Sequence, residues 1–454
     1  MEREWARETF AGVGGDARLR RRLVRVAEGA ARRPAGEVTR VYDNGADREG
    51  AFRLLENRRL TAADVARASH DATARACAGR DVIVALDGST LSLIDHARTR
   101  ELGGVGAWKD FGRGIHVHTA LAIDIEGVPI GICGQLWWTR QCPTLKKTKV
   151  HRAMETETRH GVELLREAHA RLCDAGSRPW FQLDRGFDVW PILQLAHQQR
   201  IRLTVRAIGN RSVLDGAGIK RNLRDVMLRA PAFGTYFVDV PAAANRPARR
   251  AEMEVHVASV RVPLAVGRVR REYVLLQVVR ATELGAVGQP LEWILFTTVS
   301  VTSIEDARAV IHAYTRRWRI EEFHRTWKRG LCNVEDSQLR SREALVKWAT
   351  ILAAVATRAN RLTQLRAADP AIAATTEFSA MELNAIILLR KPKGIRLGHK
   401  PSLAQAIRWV ADLGGYTGKS SGGPPGATVI GRGLADVELL VRGLRSLAEA
   451  KRSG

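Results

Sequence analysis

The chain has 454 residues, enough to bury a sizeable core and to form two to four domains. With 45% hydrophobic and 26% charged residues it is a folding sequence and not a disordered one. A net charge of +24 points to a polyanionic partner, nucleic acid first, and no basic amphipathic helix argues for a membrane surface instead.

Residues 1–75 read as short basic helices. Apolar positions recur every three or four residues in LRRRLVRVAEGAARR and in EGAFRLLENRRLTAADVARA. Asp16 before ARLRRRL, and Thr61 with Asp64 three residues on, are predicted helix starts. Such a bundle suits DNA binding, as a helix-turn-helix variant, although a plain helical lid has the same pattern. From residue 81 the period changes to that of strands: DVIVALD, then GIHVHTALAID and VPIGICGQLWW as a hairpin turning near Glu126-Gly127. A helix through RAMETETRHGVELLREAHARL, the strand PWFQLD, the helix VWPILQLAHQQ and the strand RLTVRA follow. Three strands, a helix, a strand, a helix and a strand predict a mixed α/β sheet in the order of a ribonuclease H-like fold.

Residues 210–300 hold four strand-like runs, FGTYFVDVPA, AEMEVHVASVRV, REYVLLQVVRA and EWILFTTV, read as an all-β insertion whose last strand rejoins the main sheet. The basic loop ANRPARR within it is either a phosphate contact or a solvated hairpin tip. Helices resume near residue 303, and the tail contains SLAQAIRWVADLGG and LADVELLVRGLRSLAEA around a GKSSGGPPGA loop. The tail is strongly basic, which suits self-association or a second DNA contact. The expected domains are therefore 1–75 (helical, DNA-binding), 76–209 (core, first part), 210–300 (β insertion), 301–370 (core completion) and 371–454 (helical, dimerisation or DNA contact).

No stretch approaches 18 uninterrupted apolar residues, and MEREWARETFAGVGG lacks the basic and apolar regions of a secretory signal. The five scattered cysteines contain no CxxC pair, which argues against a zinc site or a disulfide framework and for buried, reduced thiols in a cytoplasm. His116 and His118 alternate on one strand face without a third ligand at suitable spacing, so they read as structural. Trp137-Trp138 reads as core packing.

Three acids carry the chemistry. Asp87 ends VIVALD ahead of Gly88, Ser89 and Thr90, and Asp184 ends WFQLD ahead of Arg185. A carboxylate at a strand end is rigidly held at the crevice where open α/β sheets bind ligands, although Asp also favours turns. In YTRRWRIEEFHRTWKRG, Tyr314, Arg317, Glu321 and Lys328 fall at about 0°, 300°, 340° and 320° on a uniform helix, within one arc of ~60°. That face carries a phenol, a guanidinium, a carboxylate and an ammonium: an acid ringed by cations, suited to a metal beside a phosphate backbone. A solvated helix with Glu321 and Arg325 paired is the plainer reading. Acids from two strand ends and one helix can hold a pair of Mg²⁺ ions for in-line phosphoryl transfer.

The spacing Y-(2)-R-(3)-E-(6)-K resembles the signature of the fourth insertion-sequence family of bacterial cut-and-paste transposases, which carry a DDE triad. REWARETFAGVGGDARLRRRLVRVA resembles that family's helical end-binding region, LDGSTLSL its first catalytic block and DRGFD its D-R-x-x-D block. The resemblance implies Asp87, Asp184 and Glu321 as catalytic residues and metal ligands, with two Mg²⁺ ions as cofactor and Mn²⁺ as a substitute. It implies phosphate contacts for Tyr314, Arg317 and Lys328, an arginine near the site in Arg206, and a tryptophan in Trp293 that stacks on a flipped base as a hairpin end forms. The second block has Gly186 and Phe187 where a close relative carries Glu and Ala, which leaves its outer positions in place.

The implied protein is a homodimer on double-stranded DNA, pairing terminal inverted repeats and target in the bacterial cytoplasm, nucleoid-associated when bound. Alternatives are a ribonuclease H-like nuclease that cuts without joining, and an inactive end-binding relic.

Overall fold

The computed structural model describes residues 5–95, 100–105, 112–139, 157–208, 211–240, 248–266, 270–286, 290–419 and 423–453. In chain order the elements are α1 (Trp5–Phe10), α2 (Ala17–Arg32), α3 (Val38–Val41), α4 (Gly45–Leu55) and α5 (Ala62–Cys77), then β1 (Asp81–Ser92), β2 (Gly103–Val105), β3 (Gly112–Ile123) and β4 (Pro129–Trp138). Next come α6 (Glu157–Asp174), β5 (Arg178–Leu183), α7 (Trp190–Gln198), β6 (Arg202–Arg206), β7 (Ser212–Leu214), β8 (Lys220–Asn222) and α8 (Leu223–Arg229). The long strands β9 (Ala232–Val240), β10 (Arg249–Val266), β11 (Arg270–Glu283) and β12 (Glu292–Thr297) follow. The remainder is helical: α9 (Ile304–Arg316), α10 (Arg319–Arg325), a π-helical turn at Thr326–Gly330, α11 (Arg342–Leu365), α12 (Ala380–Arg390), α13 (Leu403–Leu413) and α14 (Ala427–Ser453).

The chain forms two compact units, one of residues 1–78, 88–146 and 319–454, the other of residues 79–87 and 147–318. In the first unit the predicted helix starts are caps: Asp16 accepts from the Arg18 amide, and Thr61 and Asp64 form a reciprocal capping box. The hairpin of β3 and β4 packs beneath α5 and α11. Gly131 of β4 permits the approach, because a Cβ there would lie 2.2 Å from Thr73 Oγ1 of α5. α11 is buried almost throughout, even at Lys347, whose ammonium donates to the carbonyls of Leu55 (2.8 Å) and Asn57 (3.0 Å) at the end of α4. Those carbonyls lack intrahelical partners, and a buried cation satisfies them.

α12, α13 and α14 close a second cluster around Phe378, Ile386, Ile407, Val410, Ile430 and Val437. Beside it Arg358 of α11 ion-pairs with Glu382 of α12 and, at 2.9 Å, with Glu438 of α14. His116 stacks on Trp138 at 4.2 Å, and both are buried, as are His118 and Trp327, the latter edge-on to the half-buried Trp137 at 5.8 Å. These aromatics are packing groups, as expected.

The second unit is built on a sheet. β1 runs parallel to β5, pairing Asp81 with Arg178 through to Leu86 with Leu183, and β5 runs parallel to β6. Beyond β6 the order continues β12, β11, β10, all antiparallel, with β9 and the small β7–β8 pair against β10. Val82–Leu86 are buried on both faces, which is why that strand reads as an unbroken apolar run. α9, started by the Ser303–Asp306 capping box, lays Ala307, Val310, Ile311 and Tyr314 on Met253, Val255, Val279, Ala281 and Leu295 of the strands. Fully burying each large apolar side chain contributes roughly 1.5–3 kcal/mol.

Two expectations need correction, for residues 210–300 and for the cysteines, and others fall partly outside the described residues. Residues 210–300 are not wholly β, because Leu223–Arg229 is a helix burying Leu223, Val226 and Met227. The helix expected from residue 152 is described from Glu157, and the preceding residues lie outside the described chain. Cys77, Cys133 and Cys332 are buried, but Cys173 is exposed on the outer side of α6, and Cys142 lies outside the described residues. Of the loop ANRPARR only residues 248–250 are described, and Arg249 holds Glu283 bidentately at 2.6 Å instead of facing a ligand. Residues 420–422 of the GKSSGGPPGA loop also lie outside the description.

Candidate catalytic centre

The parallel register of β1 and β5 decides the first relationship. Leu86 pairs with Leu183, the last residue of β5, so Asp87 within β1 and Asp184 just past the end of β5 follow side by side where the pairing of these two strands stops. Adjacent strands lie about 4.8 Å apart, within the span of two carboxylates sharing ligands. Asp87 is only 9% exposed, and it does not end its strand as expected from the sequence, because β1 runs on past it to Ser92. Asp184 caps the short helical turn Arg185–Phe187, accepting from the Gly186 amide at Oδ1 (2.9 Å).

Three cationic or phenolic groups of the same unit surround this pair. Arg317 places Nη1 3.7 Å from Asp87 Oδ2. The same guanidinium lies 6.0 Å from the ring of Tyr314. Tyr314 is buried, and burial pushes its phenol up while Arg317 and then Arg206 pull it down and Asp184 adds to the rise. Arg206 ends β6, where it pairs in register with Leu295 and donates from Nη2 to the Glu292 carbonyl at 3.4 Å. Trp293 lies two residues before Leu295 on β12, half-buried against the cluster that includes Tyr314. The structure thus brings Asp87, Asp184, Arg206, Tyr314 and Arg317 together, with Trp293 on the adjoining strand.

Glu321 and Lys328 belong to the other unit. Glu321 is on the first turn of α10, with the buried His324 one turn on. Lys328 lies in the π-helical turn, with Nζ 3.7 Å from Glu335, which also accepts from Arg329 Nε (2.7 Å) and the Ser92 amide (2.8 Å). Glu335 is nearly buried and holds both cations against the end of β1.

The single helix face expected for Tyr314, Arg317, Glu321 and Lys328 is corrected by the backbone. α9 ends at Arg316, and the Arg317 and Trp318 amides bond to Tyr314 and Thr315, a tight i→i−3 pattern. α10 restarts at Arg319, and Thr326–Gly330 is wound as a π-helix before Lys328 is complete. Overwinding adds rotation per residue and π-winding removes it, so a uniform 100° step does not hold across these residues.

One arrangement escaped the sequence reading. Asp188, the last residue of DRGFD, is buried with its side chain wholly inaccessible, accepting from the Ile208 amide at 2.7 Å and ion-paired to Arg211. Burial pushes its carboxyl up against the opposing pull of Arg211 and the Ile208 amide. The paired acids of the D-R-x-x-D spacing were the available signal. Glu335 was missed too, since one acid in the short 3-10 turn Val334–Asp336 carries no periodicity.

Residues 2–60 match the family described as Transposase DNA-binding, residues 144–358 the Transposase DDE domain, and residues 354–453 the Transposase Tn5 dimerisation domain. A DDE domain implies a ribonuclease H-like core, and its family normally uses divalent metal ions. The matches fall in the order of the expected DNA-binding, catalytic and dimerisation regions. Among the described residues no helix is long and apolar enough to cross a membrane.

Proposed function

We propose that this chain, a DDE transposase with a transposase DNA-binding region and a Tn5-type dimerisation domain, cuts the ends of its own insertion sequence and joins them to target DNA through Asp87, Asp184 and Glu321. The observation that carries the reading is the β1–β5 register, which sets Asp87 of β1 beside Asp184 at the end of β5, with Arg317 against Asp87. Glu321 is taken as the third carboxylate from the Y-(2)-R-(3)-E-(6)-K spacing of the sequence.

The donors fit Mg²⁺. All are hard carboxylate oxygens, one within a strand and one just past a strand end, and Mg²⁺ takes a few carboxylates plus water and substrate phosphate. Two such ions, when bound, would activate water and stabilise the attacking and leaving oxygens; Mn²⁺ would substitute. The protein's own residues do the rest. Arg317, Arg206 and Lys328 supply positive charge for the scissile and flanking phosphates, and Tyr314 adds a hydroxyl donor. The strand is nicked by water, leaving a 3′-hydroxyl. That hydroxyl attacks the opposite strand, expelling its 3′-oxygen and closing a hairpin, which water reopens before the 3′-end attacks target DNA. Trp293 stacks on a base turned out of the tight hairpin, replacing the stacking that the bend removes. A homodimer pairing two terminal inverted repeats would align both ends on one target.

The test is a labelled duplex carrying the element's end, incubated with protein and Mg²⁺. Nicked, hairpin and joined products are expected in that order. No product, with Asp87→Ala indistinguishable from wild type, contradicts the reading.

A further inference from the structure

Asp188 sits four residues beyond Asp184, and its carboxylate makes two connections that reach another strand. Oδ2 accepts from the amide of Ile208, two residues past Arg206 at the end of β6. Oδ1 ion-pairs with Arg211, whose guanidinium also donates to the Asp188 carbonyl at 3.3 Å and lies 5.9 Å from the ring of Phe296 on β12. The Asp188 amide in turn closes the Arg185–Phe187 turn by donating to the Arg185 carbonyl at 3.2 Å. That turn begins with Asp184 as its cap. One buried carboxylate therefore ties the turn that aims Asp184 to the strand end that aims Arg206.

We infer that Asp188, clamped by Arg211 and the Ile208 amide, is a positioning residue for the cleavage reaction, setting where Asp184 and Arg206 point without touching metal or DNA. The inference rests on Asp184 being a metal ligand, as proposed above. The physical reason is geometric. A short turn pinned only at Asp184 can rotate about the end of β5, whereas a second anchor four residues on leaves the capping carboxylate a single orientation. An ion pair serving stability alone would have no reason to change the metal response of the reaction.

The experiment measures nicking of the labelled end fragment against Mg²⁺ concentration for wild type, Asp188→Asn, Arg211→Lys and Asp184→Ala, alongside thermal melting and end binding without metal. Asp188→Asn keeps the shape and the acceptor for Ile208 but loses the charge that holds Arg211. Its half-saturating Mg²⁺ should rise about 10-fold or more, with end binding intact. Arg211→Lys, which keeps the charge but not the planar fork, should shift the same way by a smaller factor and serves as the deciding variant if Asp188→Asn does not fold. An unchanged half-saturating Mg²⁺ in the folded variants overturns the inference, even if the rate falls with the folded fraction. If Asp184→Ala nicks like wild type, the metal-ligand reading of Asp184 falls and this inference with it. An inactive Asp184→Ala beside an unshifted Asp188→Asn overturns the positioning role alone.

Discussion

Arg317 holds its guanidinium 3.7 Å from the carboxylate of Asp87, with both side chains largely buried. Arg317 thus sets a positive charge beside Asp87, where the proposed metal would also bind. The pairing gives Arg317 opposite effects on two measurements. Arg317→Ala should bind Mn²⁺ more tightly in the absence of DNA, because a competing cation is gone. The same variant should nick end DNA about 10²-fold more slowly, because a preorganised charge at the scissile phosphate is lost. Isothermal titration with Mn²⁺ and single-turnover nicking would check the two halves separately, and a variant weaker in both would contradict the account.

Trp293 is expected to matter for one step only. Its half-buried ring on β12, an interior strand, packs against the cluster that includes Tyr314 and not against the proposed metal ligands, so Trp293→Ala should nick at close to the wild-type rate. Hairpin formation should fall by about 10-fold or more, since stacking a displaced base is worth roughly 1–3 kcal/mol. Resolving nick and hairpin on a denaturing gel over time is sufficient. Equal loss at both steps would mark Trp293 as a packing residue.

The buried arrangement Glu382–Arg358–Glu438 places two carboxyls on one guanidinium. Arg358 holds Glu382 below the usual range against the penalty of burial, whereas burial and then the negative charge of Glu382 push Glu438 up to about 7. A carboxyl raised on folding contributes stability below its unfolded value of about 4.5, and that contribution is lost as pH rises through about 7. Melting temperatures of wild type and Glu438→Gln, compared at pH 5 and pH 8, should therefore show the variant gaining relative to wild type at the higher pH. A constant difference between the two would contradict the assignment.

Helices α13 and α14 cross through glycine. A Cβ on Gly433 would meet the Val410 carbonyl at 1.9 Å, and one on Gly414 would meet the Val429 carbonyl at 1.9 Å. Both obstacles are backbone, which cannot turn aside. Gly433→Ala should lower the stability of this region by about 1–3 kcal/mol, measured by denaturant unfolding, and weaken dimerisation with it. A neutral effect would mean that the helices separate freely.

The parts of this molecule legible in the sequence are those set by local chemistry. Asp16 and Thr61 announced their helices because a cap is a contact of two to four residues. Asp87 and Asp184 stood out as acids closing apolar runs, and the parallel register then set them side by side. The helix face at Tyr314–Lys328 was misread because TRRWRIEEFHRTWKRG has no proline and no glycine before Gly330 to mark where the winding changes. The tight turn at Arg317 and the π-turn at Thr326–Gly330 are set by packing, as with Trp327, buried and bonded to the Ala349 carbonyl at 3.0 Å. Asp188 was passed over for the opposite reason: its partners, Ile208 and Arg211, lie 20 and 23 residues away, beyond any local pattern.

The central claim is that Asp87, Asp184 and Glu321 act as one metal-dependent site, and rates of the three alanine variants, singly and in pairs, test it most directly. Each single variant should bind end DNA normally and nick about 10³-fold or more slowly, and each double variant should be little worse than the singles, because groups that act as a unit fail together. A single variant within about threefold of the wild-type rate, or losses that multiply from one variant to the next, would contradict it.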